Sequence, residues 1–286
     1  MENNFKIVIL AAGLGKRMGN PDGLPKVLTP LKGKPMISYL LDSINKSGLD
    51  SSPVIVVGNG ADQVKQTLGP NYTYVLQKQQ LGTGHAVTVA KPALSSASDV
   101  MVLYGDHMLV SAELIKLLAA THSIGNSVLT MATFVAPNFD GWRAEFKSFS
   151  RLIRNSEGNI VEDIQVKDAK AEQLAIMELN PCYFCFKADW LWENLAKVGN
   201  TNAQHEYYLT DLIKMAIDQG HVITTVNISN IQEALGVNTK EQLTEVEKLL
   251  WLSLFYMAGL PVLPTTPIKN FFVKSSKAWL MERLYY

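Results

Sequence analysis

The sequence predicts a doubly wound α/β fold, and three observations lead to this prediction. Short apolar runs alternate with helical patterns along the first half of the chain. The clearest runs, Lys6–Leu10 and Val100–Tyr104, are continuous rather than alternating, as expected for strands buried on both faces. Apolar residues make up 47% of the 286 residues, enough for a sizeable core. Together these features indicate a Rossmann-like, mostly parallel sheet.

The elements of this half follow in regular order. The expected strands are Lys6–Leu10, Pro53–Val57, Tyr72–Leu76, Val100–Tyr104 and Ser127–Val135. The expected helices are Pro35–Ser47, Gln63–Leu68, His85–Ala93 and Ser111–Ala120, the last with Ser111 as its N-cap.

The pattern changes after about residue 137. We expect an antiparallel insertion that covers one side of a cleft, built from the runs Phe146–Arg154, Ile160–Val166 and Met177–Lys187. Helices over Tyr207–Asp218 and Lys240–Met257, with a strand over Val222–Val226 between them, complete the expected order. Prolines break the start of the tail, and Ser275–Leu284 has an amphipathic helical pattern. The sequence thus predicts a domain over residues 1–250 and a helical tail over residues 251–286.

Charge and cysteine content narrow the classes of function. The 26 basic and 26 acidic residues give no net charge, which argues against a protein that binds nucleic acid or an anionic membrane in bulk. No apolar run reaches the ~20 residues of a membrane span. Two cysteines form at most one disulfide, which is too few to stabilise a chain of this size by cross-linking. No secretory signal is visible. We therefore expect a cytoplasmic protein with neither nucleic acid nor membrane as a partner.

A glycine-rich segment, Leu10–Met18, follows the first strand directly. Small residues let the backbone approach a ligand closely, and N–H groups turned to one point form an anion site. Arg17 and Lys26 add positive charge there. The segment lacks the third glycine of the dinucleotide fingerprint and the Gly-Lys-Ser/Thr of a P-loop. On its glycines alone, an ordinary strand-to-loop turn is an equally good interpretation.

Six further blocks of small and polar residues stand at strand ends and turns. They are Leu24–Leu28, Gln77–Ala86, Tyr104–Asp106, Glu178–Asn180, Asn202–Asp211 and Gly236–Asn238. Taken alone, Asp106 and Asn238 are each interpretable as helix caps. However, open α/β sheets bind ligands at the carboxyl ends of their strands, where Gly13 and Asp106 are expected.

In this order, the blocks resemble those of the sugar-1-phosphate nucleotidyltransferases, above all the uridyltransferase half of the bacterial enzymes that act on N-acetylglucosamine-1-phosphate. The resemblance runs from about Lys6 to Leu250. It implies transfer of a nucleoside monophosphate, from UTP, to a sugar-1-phosphate, with release of pyrophosphate and with Mg²⁺ as cofactor. The hexapeptide repeats of those relatives' acetyltransferase half are not seen, so a stand-alone transferase is expected.

The resemblance also implies a role for each matching position. Arg17 and Lys26 would face the triphosphate, and Asp106 and Asn238 would hold Mg²⁺. The nucleotide would lie against Leu10, Ala11, Ala12, Gly13, Gln77, Gly82 and Thr83. The sugar would lie against Tyr104, Gly105, Ser150, Gln165 and Asn180.

Two sugar-side positions depart from the family. Ser150 stands where the family has glycine, and Gln165 stands where it has a glutamate that faces the sugar. An amide in place of a carboxylate removes a charged acceptor and adds a donor. Pro181 and Cys182 replace a threonine and a glycine. We therefore expect the reaction class to hold, with N-acetylglucosamine-1-phosphate as one candidate acceptor. Ser150 and Gln165 would mark either an altered sugar choice or a different contact to the substrate.

Three alternatives stay open. CTP or dTTP, or a different phosphate acceptor, would suit the same arrangement. A catalytically silent regulatory module would also bind a sugar nucleotide, but it would not need Arg17, Lys26, Asp106 and Asn238 together. The region Trp251–Met257 would serve either as the contact of a homo-oligomer or as cover for the sheet edge.

Cys182 and Cys185 would point to opposite faces of one strand, so neither a zinc nor a redox site is expected.

Overall fold

The computed structural model describes residues 4–13, 15–19, 23–202 and 204–257. The strands are β1 Phe5–Ala11, β2 Pro30–Leu31, β3 Lys34–Pro35, β4 Val54–Val57, β5 Thr73–Leu76, β6 Asp99–Tyr104, β7 Leu129–Val135, β8 Arg151–Arg154, β9 Ile160–Ile164, β10 Glu178–Leu179, β11 Phe184–Lys187 and β12 Thr224–Asn227. The helices are α1 Met36–Ser47, α2 Ala61–Leu68, α3 Thr83–Ala90, α4 Ala112–Gly125, α5 Ala171–Leu174, α6 Ala188–Leu195, α7 Asp211–Asp218 and α8 Lys240–Met257.

A sheet of ten strands organises the described residues. Its order is β5-β4-β1-β6-β11-β7-β10-β8-β9, and β12 also pairs with β7. The pairs β5–β4, β4–β1, β1–β6 and β7–β12 are parallel. The predicted Rossmann-like, mostly parallel α/β fold is confirmed.

The core lies on both faces of the parallel strands because those strands carry uninterrupted apolar runs. Ile7, Val8 and Ile9 of β1 have no exposed surface, and β4 is buried along its whole length. Helix α1 contributes one face of five buried residues: Met36, Ile37, Leu40, Leu41 and Ile44. Each such side chain stabilises the fold by about 1.5–3 kcal/mol through the apolar area that it removes from water.

The antiparallel insertion forms from β8, β9 and β10. The expected strand Phe146–Arg154 is wrong over its first half, because residues Gly141–Ser148 form a 3₁₀ helix. Its Phe146 is fully buried against Phe134, with ring centroids 4.7 Å apart. The spacing of Trp142, Phe146 and Phe149 matches a helical turn better than an alternating strand, and the rings of Trp142 and Phe149 both pack against Phe146.

The expected strand Met177–Lys187 is divided into β10 and β11. Pro181 has no N–H to donate, and Cys182 has a φ of 66°, so neither residue continues the ladder. Strand β11 then lies between β6 and β7 in the main sheet, antiparallel to both, rather than in the insertion. Cys182 lies outside any strand, so the prediction that Cys182 and Cys185 point to opposite faces of one strand is wrong. Both cysteines are free.

The chain divides into two compact units, residues 1–246 and 247–286. The expected tail helix Ser275–Leu284 and the three prolines before it lie outside the described residues. Among the residues that are described, no helix has the length and apolar character needed to span a bilayer.

Candidate active site

The predicted nucleotide-side residues gather at the carboxyl edge of the parallel strands. Strand β1 ends at Ala11 and β6 ends at Tyr104, and the Gly105 N–H donates to the Leu10 carbonyl at 3.0 Å. Ala11 and Ala12 are buried, whereas Gly13 is exposed. A Cβ at Gly13 would meet no protein atom within 4 Å. The edge therefore leaves open space beside Gly13.

The loop after Gly13 packs directly onto the segment that carries Lys26. Gly15 has a φ of 59°, and a Cβ there would lie 2.7 Å from the Lys26 Cβ, so only glycine fits without displacing the lysine. The next turn holds Arg17 exposed and Met18 buried.

Lys26, Asp106 and Asn238 meet at one point. The Lys26 Nζ donates to the Asp106 carboxylate and, at 2.9 Å, to the Asn238 Oδ1. The Lys26 and Asp106 side chains are only 11% and 13% exposed. Arg17 is not part of this hydrogen-bonded group among the described residues. Three of the four residues predicted to bind phosphate or metal are thus in contact.

The charge state of Asp106 follows from its surroundings. Burial alone would raise the pKa of its carboxyl, but the Lys26 ammonium and His107 outweigh burial and lower it. Burial lowers the pKa of His107. The Asp106 carboxylate raises this pKa in part, and the Lys26 ammonium lowers it further. At neutral pH the site therefore contains an ionised carboxylate beside an uncharged imidazole.

His107 links Asp106 to the broken strand. Its Nδ1 lies 2.5 Å from the Tyr183 hydroxyl, which donates its own proton to the Glu233 carbonyl at 2.6 Å. The hydroxyl has one proton, so His107 Nδ1 is the donor in this pair. Tyr183 was not among the predicted site residues, and no local sequence pattern would have identified it.

Asn238 stands just before α8, and the cap of that helix is Thr239 instead. The Gln242 N–H donates to the Thr239 hydroxyl at 3.3 Å, and the Thr239 N–H donates to Gln242 Oε1 at 2.9 Å. This reciprocal pair is a capping box, which leaves the Asn238 amide to Lys26. The Val237 N–H also donates to the Asp106 carbonyl at 3.0 Å, which joins the two segments. Asp106 is likewise no cap, because Ser111 caps α4.

The turn at Gly82 is held by the loop before α7. Gly82 has a φ of 105°, and a Cβ there would lie 2.6 Å from the Tyr207 carbonyl oxygen. The Thr83 hydroxyl accepts from the Leu209 N–H at 3.0 Å. Gln77 is buried, and its Nε2 contacts the Gly82 carbonyl at 3.1 Å and the His85 Nδ1 at 3.0 Å.

The predicted sugar-side residues lie at the ends of the insertion strands. Ser150 precedes β8, Gln165 follows β9 and Asn180 follows β10. The Asn180 N–H donates to the Ser150 carbonyl at 3.4 Å, and both residues are buried. Ile164 pairs with Arg151 across β8 and β9, which places Gln165 near Ser150. Gln165 is half-buried.

A model of the MobA-like NTP transferase domain matches residues 7–200. The chain belongs to this family.

Curated relatives of this MobA-like chain carry the name "Bifunctional protein GlmU". The protein of Alkaliphilus oremlandii is 38% identical over 246 residues, which are 86% of this chain and 52% of the relative. The protein of Shouchella clausii is 40% identical over 84% of this chain and 51% of the relative. That of Paraburkholderia xenovorans is 38% identical over 86% and 52%. The chain spans about half the length of these relatives.

The MobA-like site also offers oxygen ligands for a metal ion. The Asp106 carboxylate and the Asn238 Oδ1 converge on one cationic atom, the Lys26 Nζ, so both oxygens face a position that favours a cation. No group of three or more His, Cys, Asp or Glu side chains suited to a metal occurs in the part of the chain that the structure describes. A metal held here would need water or phosphate oxygens as further ligands, which suits Mg²⁺.

Asp163 on β9 is a largely buried acid of this MobA-like domain that was not among the predicted site residues. Its Oδ2 lies 3.4 Å from the Asn180 Nδ2. Burial raises the pKa of its carboxyl to about 6, and the side chains of Ser150 and Asn180 oppose this. Asp163 precedes Gln165 by two residues, and residues at that spacing share one face of a strand. The period of two is the signal that could have identified it.

Proposed function

We propose that this chain transfers a nucleoside monophosphate from a nucleoside triphosphate to a sugar-1-phosphate and releases pyrophosphate. The observation that carries the proposal is the meeting of Lys26, Asp106 and Asn238 at the carboxyl edge of the parallel sheet, beside the glycine-rich loop. Membership of the NTP transferase family and the similarity to proteins named bifunctional GlmU support it.

The proposed chemistry needs charge neutralisation rather than a general base. A phosphomonoester is already ionised near neutral pH. Two unit charges ~4 Å apart repel by ~4 kcal/mol at an effective dielectric of ~20, so the reactants need nearby cations. Lys26 has three N–H donors, and two are used by Asp106 and Asn238. The third would bind a phosphate oxygen, and Arg17 on the neighbouring turn would bind another.

The family resemblance also implies Mg²⁺, which we propose would be held by Asp106 and Asn238. When bound, the ion would polarise phosphate oxygens and offset their charge. The Lys26 and Asp106 side chains are mostly buried, which gives a low-dielectric pocket in which such charges act strongly.

Among pyrimidine nucleotides, Gln77 favours UTP or dTTP over CTP. Both Nε2 contacts of Gln77 are to the protein, which leaves its Oε1 as the amide atom to offer to a base. Uracil and thymine carry an N3–H that can donate to this oxygen, whereas the N3 of neutral cytosine only accepts. We therefore propose UTP, with dTTP as the nearest alternative.

We also propose the class of sugar acceptor, the cellular compartment and the oligomeric state of the protein. Ser150 and Gln165 in place of the family glycine and glutamate suggest a sugar other than N-acetylglucosamine. The two free cysteines agree with a reducing cytoplasm. We also propose a homo-oligomer with the tail as its contact; residues 258–286 of the tail lie outside the described residues.

A pyrophosphate-release assay tests the proposal. Wild type, Mg²⁺ and one nucleotide at a time (UTP, dTTP or CTP) are combined with a panel of sugar-1-phosphates. Asp106→Ala is expected to lower turnover by about a thousandfold or more, because the carboxylate of the site is lost. Asp62→Ala, on the exposed side of α2, is the matched control and should leave turnover unchanged.

Thermal melts of both variants check that the fold is retained. If wild type releases pyrophosphate with none of the pairs, the silent regulatory module replaces this proposal. If Asp106→Ala stays active while folded, the assigned site is wrong.

A further inference from the structure

Asp163 is a largely buried acid that the proposed chemistry does not use. It lies on β9, opposite Leu152 of β8. Its Oδ1 is sealed from solvent and accepts no hydrogen bond of normal geometry from the described residues. Its Oδ2 faces the Asn180 amide at 3.4 Å, and the side chains that act on its ionisation, Ser150 and Asn180, carry no positive charge. A largely buried carboxyl with no positively charged partner destabilises a fold, and we therefore looked for a function that it serves.

The Asn180 side chain lies between a hydrogen-bond donor and a hydrogen-bond acceptor. Its Oδ1 accepts from the Cys182 N–H at 2.7 Å, and its Nδ2 faces the Asp163 carboxylate. Turning the amide over would place an N–H₂ against an N–H, and a carbonyl against a carboxylate. Both contacts would then be repulsive, so the orientation of the amide is determined by its neighbours.

This arrangement leaves one Asn180 group unassigned. The Oδ1 is occupied by Cys182, and one Nδ2 hydrogen is directed at Asp163. Among the described residues, the second Nδ2 hydrogen donates no hydrogen bond, and Asn180 is one of the residues expected to face the sugar.

We infer that Asp163 is a positioning residue, which fixes the Asn180 amide so that it presents an N–H donor to the acceptor substrate. The inference rests on the proposed function. It specifies the acceptor further, because the group that meets Asn180 must be an oxygen that accepts a hydrogen bond, such as a sugar hydroxyl or an amide carbonyl. A group that only donates, such as an ammonium, would be rejected at this point.

An acid at position 163 beside an amide at position 165 is consistent with this role. Gln165 follows β9 directly, and residues two apart on an extended chain are separated by roughly 6.6 Å. Asp163 therefore lies too far along the strand to replace a glutamate at 165 directly, and it acts through Asn180, which it contacts.

The test compares Asp163→Ala with Asp163→Asn. Alanine removes the oxygen that faces Asn180, whereas asparagine keeps an acceptor oxygen without the charge. For the sugar-1-phosphate that wild type uses best, Asp163→Ala is expected to raise KM roughly tenfold, the effect of one lost orienting hydrogen bond. The KM for the nucleotide should change less than about twofold. Asp163→Asn is expected to recover most of the acceptor KM.

Glu162→Ala is the matched control, since Glu162 is the exposed neighbour of Asp163 on the same strand. It should leave both KM values unchanged, and thermal melts confirm folding of all three variants. An unchanged acceptor KM in Asp163→Ala would overturn the inference. So would equal losses in Asp163→Ala and Asp163→Asn, which would indicate that the charge itself matters. If wild type turns over no acceptor, the proposed function fails and the inference fails with it.

Discussion

At the scale of single residues, Asp163 opposes folding at neutral pH. Burial raises the pKa of its carboxyl from 3.8 to about 6, so the folded state favours the protonated form. The stability that this preference contributes is present at low pH and is lost as the pH rises from about 4 to 6. Above pH 6 the carboxylate is ionised at a cost of about 1–3 kcal/mol, which allows for its partial exposure.

Asp163→Asn is therefore expected to stabilise the protein by about 1–3 kcal/mol at pH 8, with no gain at pH 4. Urea denaturation at the two pH values measures the difference. Glu162→Gln, on the exposed neighbour, should show no such pH-dependent gain. A residue that destabilises the fold is typical of a functional site. Equal stability of wild type and Asp163→Asn at both pH values would contradict the assigned pKa.

At the scale of elements, the antiparallel insertion depends on the buried Arg151 at the start of β8. The side chain is 2% exposed, and its guanidinium donates to three backbone carbonyls, those of Lys147, Phe149 and Leu174. These carbonyls belong to the 3₁₀ helix, the turn after it and α5, so one side chain joins three segments. The fork of donors on arginine suits this geometry, and the single nitrogen of lysine does not.

Arg151→Lys should lower the free energy of unfolding by about 2–4 kcal/mol, because at least one buried carbonyl is left unpaired. The same change at Arg154, which is partly exposed and pairs with Glu178, is the control and should lose about 1 kcal/mol or less. Chemical denaturation of both variants provides the measurement. Similar losses at the two positions would show that burial of Arg151 does not determine its contribution.

The insertion also shows why strand boundaries were missed. The sequence from Phe146 to Arg154 alternates well enough to favour a strand, yet its first part is helical because three aromatic rings pack on one another. That packing involves Phe134 of β7, which no local window includes. Pro181, in contrast, is a local signal for the break before β11, and it could have been used.

At the scale of the whole molecule, a buried polar cluster joins β6, α4, β7 and β11. Asp99 and His122 have no exposed surface. The His122 Nε2 lies 3.1 Å from the Asp99 Oδ1, which also pairs with Lys187 at 2.8 Å, and the His122 Nδ1 lies 2.8 Å from the Thr130 hydroxyl. Burial lowers the pKa of His122 to about 4, although Asp99 raises it in part.

The neutral form of His122 is thus favoured on folding, and its contribution to stability is complete above about pH 6.5. The contribution is lost as the pH falls from 6.5 to 4, to a total of about 3 kcal/mol. Relative to His122→Gln, wild type should therefore lose about 3 kcal/mol of unfolding free energy between pH 7 and pH 4. His221→Gln, at an exposed histidine, should show no such difference. Parallel pH profiles of wild type and His122→Gln would contradict this prediction.

The class of fold follows from the sequence alone, because the central strands are continuous apolar runs that are expected to be buried whatever their partners are. The glycine-rich loop, Lys26, Asp106 and Asn238 were likewise identified as candidate site residues from sequence. That Lys26, Asp106 and Asn238 meet is a property of the folded chain, since Lys26 and Asn238 are 212 positions apart and no local interaction relates them. The proposed role of Asp163 and the hydrogen bonds of Tyr183 also depend on neighbours that are distant in sequence. Sequence alone could not identify them, because hydrogen bonds and burial depend on distance in space.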